Sequence, residues 1–127
     1  MKKIALILVI SLLMPLIPAQ DVASSAIIYK GIASWYSEND PGILKTTANM
    51  EIFDDSSLTC AMWDVPFNTN LMVTNLENGK SILVRVNDRG PAKRLVQKGR
   101  IIDLTQHAFS QIADLTQGLI KVKIEII

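Results

Sequence analysis

One cysteine and one histidine in 127 residues leave this chain short of the commonest metal ligands. Cys60 has no partner, so an internal disulfide is excluded. There is no H-E-x-x-H and no paired Cys/His spacing, and a structural zinc or metalloprotease centre has almost nothing to be built from. G-x-S-x-G, a Walker loop and a dinucleotide fingerprint are also missing. Nucleophilic-serine and nucleotide chemistry drop out together, and no cofactor and no metal are expected. Cys60 itself lies in T-C-A-M-W, apolar surroundings that suit a buried, unreactive thiol. His107 stands alone without a catalytic partner and reads as a surface side chain.

Long hydrophobic runs are scarce too. The one that exists, from Ile4 to Pro18, follows Lys2 and Lys3, is too short to span a bilayer comfortably, and is followed by the small residues Ala19, Ala23 and Ala26. This is the pattern of a secretory signal peptide over residues 1–26. An uncleaved anchor is the alternative, and Pro15 and Pro18 argue against it because they would interrupt a membrane helix. No cysteine follows the leader closely, so lipid attachment is not expected, and the product should be periplasmic or secreted.

Charge of one sign is lacking as well. The chain has 13 basic and 12 acidic side chains, and loss of Lys2, Lys3 and Asp21 with the leader leaves 11 of each. A neutral domain is a poor electrostatic match for nucleic acid. Residues 27–127 suit one domain with a modest core, and they contain no internal repeat or low-complexity linker.

What is present is β-rich. Residues 71–75 and 81–87 read as strands joined across Glu77-Asn78-Gly79-Lys80, where Asn-Gly predicts a two-residue hairpin turn. At the C-terminus Ile120, Val122, Ile124 and Ile126 share one face and Lys121, Lys123 and Glu125 the other, as a half-buried strand requires. One helix is expected from Thr105 to Ala113, capped by Thr105 or Asp103, with Ala108, Phe109, Ile112 and Ala113 as its apolar stripe and Gly118 beyond its end.

The densest signal is V-R-V-N-D-R-G-P at Val84 to Pro91, where strand-like alternation runs into a turn carrying an acid and a base. I-I-D-L-T at Ile101 to Thr105 places a second acid, Asp103, at another strand end. Read alone, Asp88 is a good turn builder, Glu51 a solvated residue at a strand edge, and Asp103 a helix-start acid.

These two segments, with G-I-A-S-W-Y at Gly31 to Tyr36, T-T-A-N-M-E at Thr46 to Glu51 and V-P-F at Val65 to Phe67, resemble the bacterial rare lipoprotein A family. The resemblance covers roughly Tyr29 to Ile127. It implies an all-β fold, a six-stranded double-psi β-barrel with one short helix, and the activity of a lytic transglycosylase that cuts peptidoglycan glycan strands and leaves 1,6-anhydro-muramyl ends. It further implies catalytic roles for Asp88 and Glu51, and substrate contacts from Tyr36, Thr47, Arg89 and Asp103. Of the adjacent Trp35 and Tyr36, alternation allows only one to line a groove, and the resemblance favours Tyr36; Trp63 is either a groove or a core residue. Arg89 would aim at a substrate carboxylate or at Asp103. The chain departs from the family at Met62, where histidine is usual, and at Met50, where glycine is usual. The alternative function is a non-catalytic, expansin-like glycan-binding or wall-loosening module; a third is a protein-interaction barrel in an envelope assembly. Expected partners are glycan strands and envelope or division-site proteins, with the chain itself a monomer.

The leader generates the first prediction. The exported chain begins after Ala19, Ala23 or Ala26 and is soluble, which its intact mass checks; full-length protein in the membrane fraction would contradict it.

Overall fold

The computed structural model describes residues 27–127 together with 5, 7, 10, 11 and 13–15. Most of the expected leader, including Ala19, Ala23 and Ala26, lies outside the described residues. Among the described residues no helix is long and apolar enough to cross a membrane.

Six strands close into a barrel: β1 (Ile28–Tyr36), β2 (Thr59–Ala61), β3 (Asn70–Asn75), β4 (Ser81–Asp88), β5 (Arg100–Thr105) and β6 (Ile120–Ile126). Around the barrel the order is β1-β5-β2-β4-β3-β6. The β1/β5 and β2/β4 pairs are parallel and the other four are antiparallel. Parallel neighbours cannot be joined by a tight hairpin, so the chain must cross over between them, and these crossovers carry the loops at the barrel mouth. Closure leaves no sheet edge exposed along the barrel wall and gives those loops a rigid frame.

Alternation accounts for the core. Leu71 and Val73 on β3, Val84 and Val86 on β4, Ile102 and Leu104 on β5, and Val122 and Ile124 on β6 are all buried, with Ala33 and Cys60 completing the interior. Burial also pushes the Cys60 thiol up, so it stays protonated. The C-terminal strand forms in the expected register of faces, with Lys121 exposed between Ile120 and Val122.

Two local expectations need correction. The expected helix is shorter: α2 spans Gln106–Ser110, after the one-turn α1 at Lys93–Val96, and only Ala108 and Phe109 of its residues are buried. Thr105 is its cap, accepting from the Ala108 N–H at 3.2 Å. Just past its end the Ile112 carbonyl accepts from two side-chain amides, Asn75 Nδ2 at 2.8 Å and Asn78 Nδ2 at 2.9 Å. The same asparagines overturn the two-residue turn. Asn75 donates its backbone N–H to Lys80, its Oδ1 accepts from Glu77 N–H, and Asn78 Oδ1 accepts from Lys80 N–H. The hairpin therefore turns over 76–79, with only Gly79 at positive φ (75°).

Gly31 marks the tightest approach in the barrel wall. A Cβ there would lie 2.8 Å from the Ile101 side chain and 2.9 Å from the Gly99 carbonyl oxygen, which also accepts the Ile32 N–H. Gly31→Ala should therefore destabilise the barrel by about 1–3 kcal/mol, as overpacking does. A denaturant midpoint equal to that of the parent would show that the 99–101 backbone gives way at no cost.

Candidate active site

The acids are brought together by strand register. β2 lies between β5 and β4, and Ala61 pairs with Asp103 on one side and with Asp88 on the other. Asp103 in turn pairs with Ser34 of β1. One row across four strands thus reads Ser34, Asp103, Ala61, Asp88, with the two acids' backbones about 10 Å apart, two inter-strand spacings. The β2/β4 register slips between Cys60 and Ala61, so Cys60 faces Val86 while Ala61 faces Asp88 and Asn87 is passed over. Such an irregularity re-aims side chains. Asn87 turns to Glu51 and Asp88 to the mouth of the barrel.

Asp88 is held by both oxygens. Oδ1 accepts the backbone N–H of Ala48 and of Arg89, each at 2.9 Å, and Oδ2 accepts the Tyr36 hydroxyl at 3.2 Å. Tyr36 is 7% exposed, and its ring stacks on Phe53 with centroids 4.6 Å apart. The ring packs inward and its polar contact is the hydroxyl, while Trp35 packs against the main core and donates Nε1–H to the Leu115 carbonyl. Burial first, and the charge of Asp88 second, push the Tyr36 phenol well above its ordinary range. It is a fixed hydrogen-bond donor.

Glu51 sits in the opposite electrostatic setting. Its carboxylate accepts from Arg85 in bidentate fashion, Nη1 to Oε1 at 2.7 Å and Nη2 to Oε2 at 3.0 Å, and from Asn87 Nδ2 at 3.0 Å. Those hydrogen bonds, Arg85 foremost, bring its pKa down to about 2. Arg85 and Asn87 were not among the residues expected at the site. The signal was nonetheless present: in V-R-V-N, Val84 and Val86 face the core, so Arg85 and Asn87 must share the other face.

The remaining candidates are distributed around this pair. Asp103 accepts from the Ser34 hydroxyl and from Arg100 Nε at 3.2 Å and Nη2 at 3.0 Å, so it serves a cross-strand network and not the helix cap. Gly90 passes over Ala61 against it; a Cβ at Gly90 would lie 3.3 Å from both the Ala61 Cβ and Asp103 Oδ2. Arg89 turns away from Asp103. Its Nη1 donates to the carbonyls of Met62 and Val65 at 2.9 and 2.7 Å, and its guanidinium lies 3.8 Å from the Phe67 ring centre. Thr47 is buried and donates to Asn49 Oδ1 at 2.6 Å. Trp63 is half-buried, donates to the Pro91 carbonyl and lies under Lys93. Met62 is in the core, and His107 is exposed on α2.

An open cleft of about 410 Å³ runs along this mouth, lined among others by Leu44, Thr46, Ala48, Met50, Asp88 and Arg89. Among the described residues one acidic group approaches metal-ligand spacing, Glu38, Asp54 and Asp55, with oxygens within 4.8 Å of one another. Asp54 and Asp55 already accept N–H groups from Ser56 and Glu38, and the group is not part of the cleft.

The profile of the family described as "Lytic transglycolase" matches residues 28–124. A probable endolytic peptidoglycan transglycosylase RlpA from Nostoc is 37% identical over 111 residues, covering 87% of this chain and 29% of the relative. The endolytic peptidoglycan transglycosylases RlpA of Campylobacter jejuni and Vibrio cholerae are each 45% identical over 97 residues, covering 76% of this chain and 33% and 35% of theirs. The chain thus spans about a third of the length of these relatives. In shape it is similar to a Streptomyces papain inhibitor (TM-score 0.62, 23% identity, 80% of this chain and 94% of the other). It is also similar to a Clavibacter michiganensis expansin (TM-score 0.60, 17% identity, 80% and 50%). These likenesses agree with the double-psi β-barrel fold.

Met50, beside Glu51, has φ +72°. A side chain costs about 1–2 kcal/mol in that left-handed region, against the 0.5–1 kcal/mol of chain entropy that glycine loses on folding. Its side chain is 79% exposed and stands to lose little packing. Met50→Gly should therefore stabilise the protein by about 0.5–1 kcal/mol, raising the melting temperature. A lower melting temperature would mean that the Met50 side chain contributes more than its exposure suggests.

Proposed function

The chain belongs to the RlpA-like lytic transglycolase family, and from that premise we propose that its barrel cuts peptidoglycan glycan strands by lytic transglycosylation, with Asp88 as acid and then base. The contrast between the two carboxylates carries this reading. Glu51, paired with Arg85 and Asn87, has no proton to give near neutrality. Asp88 lines the cleft, with Oδ1 filled by two N–H donors, so that a proton on this carboxyl belongs to Oδ2.

In the proposed step the Oδ2 proton passes to the glycosidic oxygen as the bond from that oxygen to C1 of the muramyl sugar breaks. The 6-hydroxyl of the same sugar then bonds to C1, and its proton returns to Asp88. Protons balance, no water is consumed, and the products are a free 4-hydroxyl end and a 1,6-anhydro end. Between the two halves of the reaction Asp88 is negatively charged, and the Tyr36 hydroxyl is already directed at it. Thr47 braces the loop that lines the cleft, Arg89 holds the 62–65 wall, and Asp103 flanks Ala61 on the side away from Asp88. The relatives are peptidoglycan transglycosylases by name, which supports work in the cell envelope, reached by way of the leader. One observation favours the binding-module alternative: the position of the usual family histidine is occupied by Met62, a side chain with no proton to donate.

Asp88→Asn tests the assignment. The amide oxygen can still accept from Ala48 and Arg89, so folding should persist, while cleavage of purified sacculi should fall by at least about a hundredfold. A stable variant that cleaves at the parental rate would remove Asp88 from the chemistry.

A further inference from the structure

Glu51 lies in a loop that touches Asp88 at a different point, and the loop's fastenings are separable. Within it, Thr46 and Ile52 bridge, Thr47 N–H donates to the Glu51 carbonyl at 2.8 Å, and Met50 N–H donates to the Thr47 carbonyl at 2.9 Å. Between the loop and β4 there are three fastenings. Ala48 N–H donates to Asp88 Oδ1 at 2.9 Å, Asn49 N–H donates to the Asn87 carbonyl at 3.3 Å, and the Glu51 carboxylate takes three donors from Arg85 and Asn87. The first is charge-assisted through the Asp88 carboxylate, and only the last is bidentate and joins two charged groups. It also works against the left-handed backbone of Met50, one residue away.

Asn87 makes the clamp directional. It is 3% exposed, its Nδ2 serves Glu51, and its Oδ1 is buried without a hydrogen-bond partner among the described residues. The end of the amide that meets the loop is its Nδ2 donor, which fits an acceptor such as the Glu51 carboxylate. Arg85 adds Asn68 Oδ1 as a further acceptor at 2.9 Å, which holds the guanidinium plane against Glu51.

We propose that Arg85 and Asn87 are positioning residues that grip Glu51 to fix the 46–52 loop, and that through this loop Glu51 sets the Ala48 N–H on Asp88. Glu51 then acts on the reaction through Asp88 and not by touching the sugar. The proposal rests on the reading of Asp88 as the acid only for its kinetic arm. The loop geometry stands apart from it.

The test uses Glu51→Gln, Arg85→Gln and the double variant of the full chain, read in two ways. Amide hydrogen exchange at Thr47, Ala48 and Asn49 needs no substrate. Each single change should speed it by about tenfold or more, the double change should add little, and the β3 and β6 amides should keep their protection. In glycan-strand turnover, each single change should lower kcat by about tenfold with KM nearly unchanged, again without further loss in the double variant. Arg85→Lys, which keeps a charge and a donor, should recover part of that loss. Unchanged exchange in Arg85→Gln would overturn the clamp. So would full turnover in Arg85→Gln beside an inactive Glu51→Gln, because Glu51 would then act directly on the sugar. If the parent chain has no turnover, faster exchange still upholds the clamp, and it is the reading of Asp88 as the acid that fails.

Discussion

The site depends on the pairing of Ala61. Three residues of β2 are wedged between a parallel neighbour and an antiparallel one, and the last of them fixes Asp88 on one side and Asp103 on the other. A shift of one residue would turn each strand's apolar set out of the barrel, so the core locks the register and the register locks the acids. Gly90 is part of the same constraint. It lets the chain leave β4 directly over Ala61, where a side chain would press on Asp103.

Asp88 and Glu51 differ in everything but their carboxyl groups. Asp88 is met by two backbone N–H groups and a buried phenol. Glu51 is met by a guanidinium and a side-chain amide. Such different partners suit different tasks: Asp88 lines the cleft, while Glu51 is held by Arg85 and Asn87. The proposed reaction rests on the family relationship, and the hydrogen bonds assign the parts within that proposal.

Several strands were legible in the sequence, because half-buried strands advertise themselves by alternation, whereas the closed barrel was what the family resemblance implied. Ile120 to Ile126 and the Val84/Val86 pair are cases in which periodicity alone separates core from surface. The local turn chemistry was less legible. Asn75 read as a strand end and Asn78 as a turn former, and both spend their amides on a carbonyl more than thirty residues away, which no local pattern reveals. The Arg85–Glu51 pair was missed for the same reason, since its partners are separated by 34 residues. Arg89, the arginine next to Asp88, drew the attention; yet it braces the 62–65 backbone, and Arg85, four residues earlier, meets Glu51. Met50 was legible as a departure from glycine, and its positive φ gives that departure a physical cost.

The central claim is that C1 of the muramyl sugar is captured by its own 6-hydroxyl. Digestion of purified sacculi in water enriched in oxygen-18, followed by mass spectrometry of the released fragments, tests it most directly. The account predicts anhydro ends that contain no oxygen from the solvent. Heavy oxygen at the new C1 ends would mean hydrolysis, and an absence of fragments over a range of pH would mean a binding module; either contradicts the account.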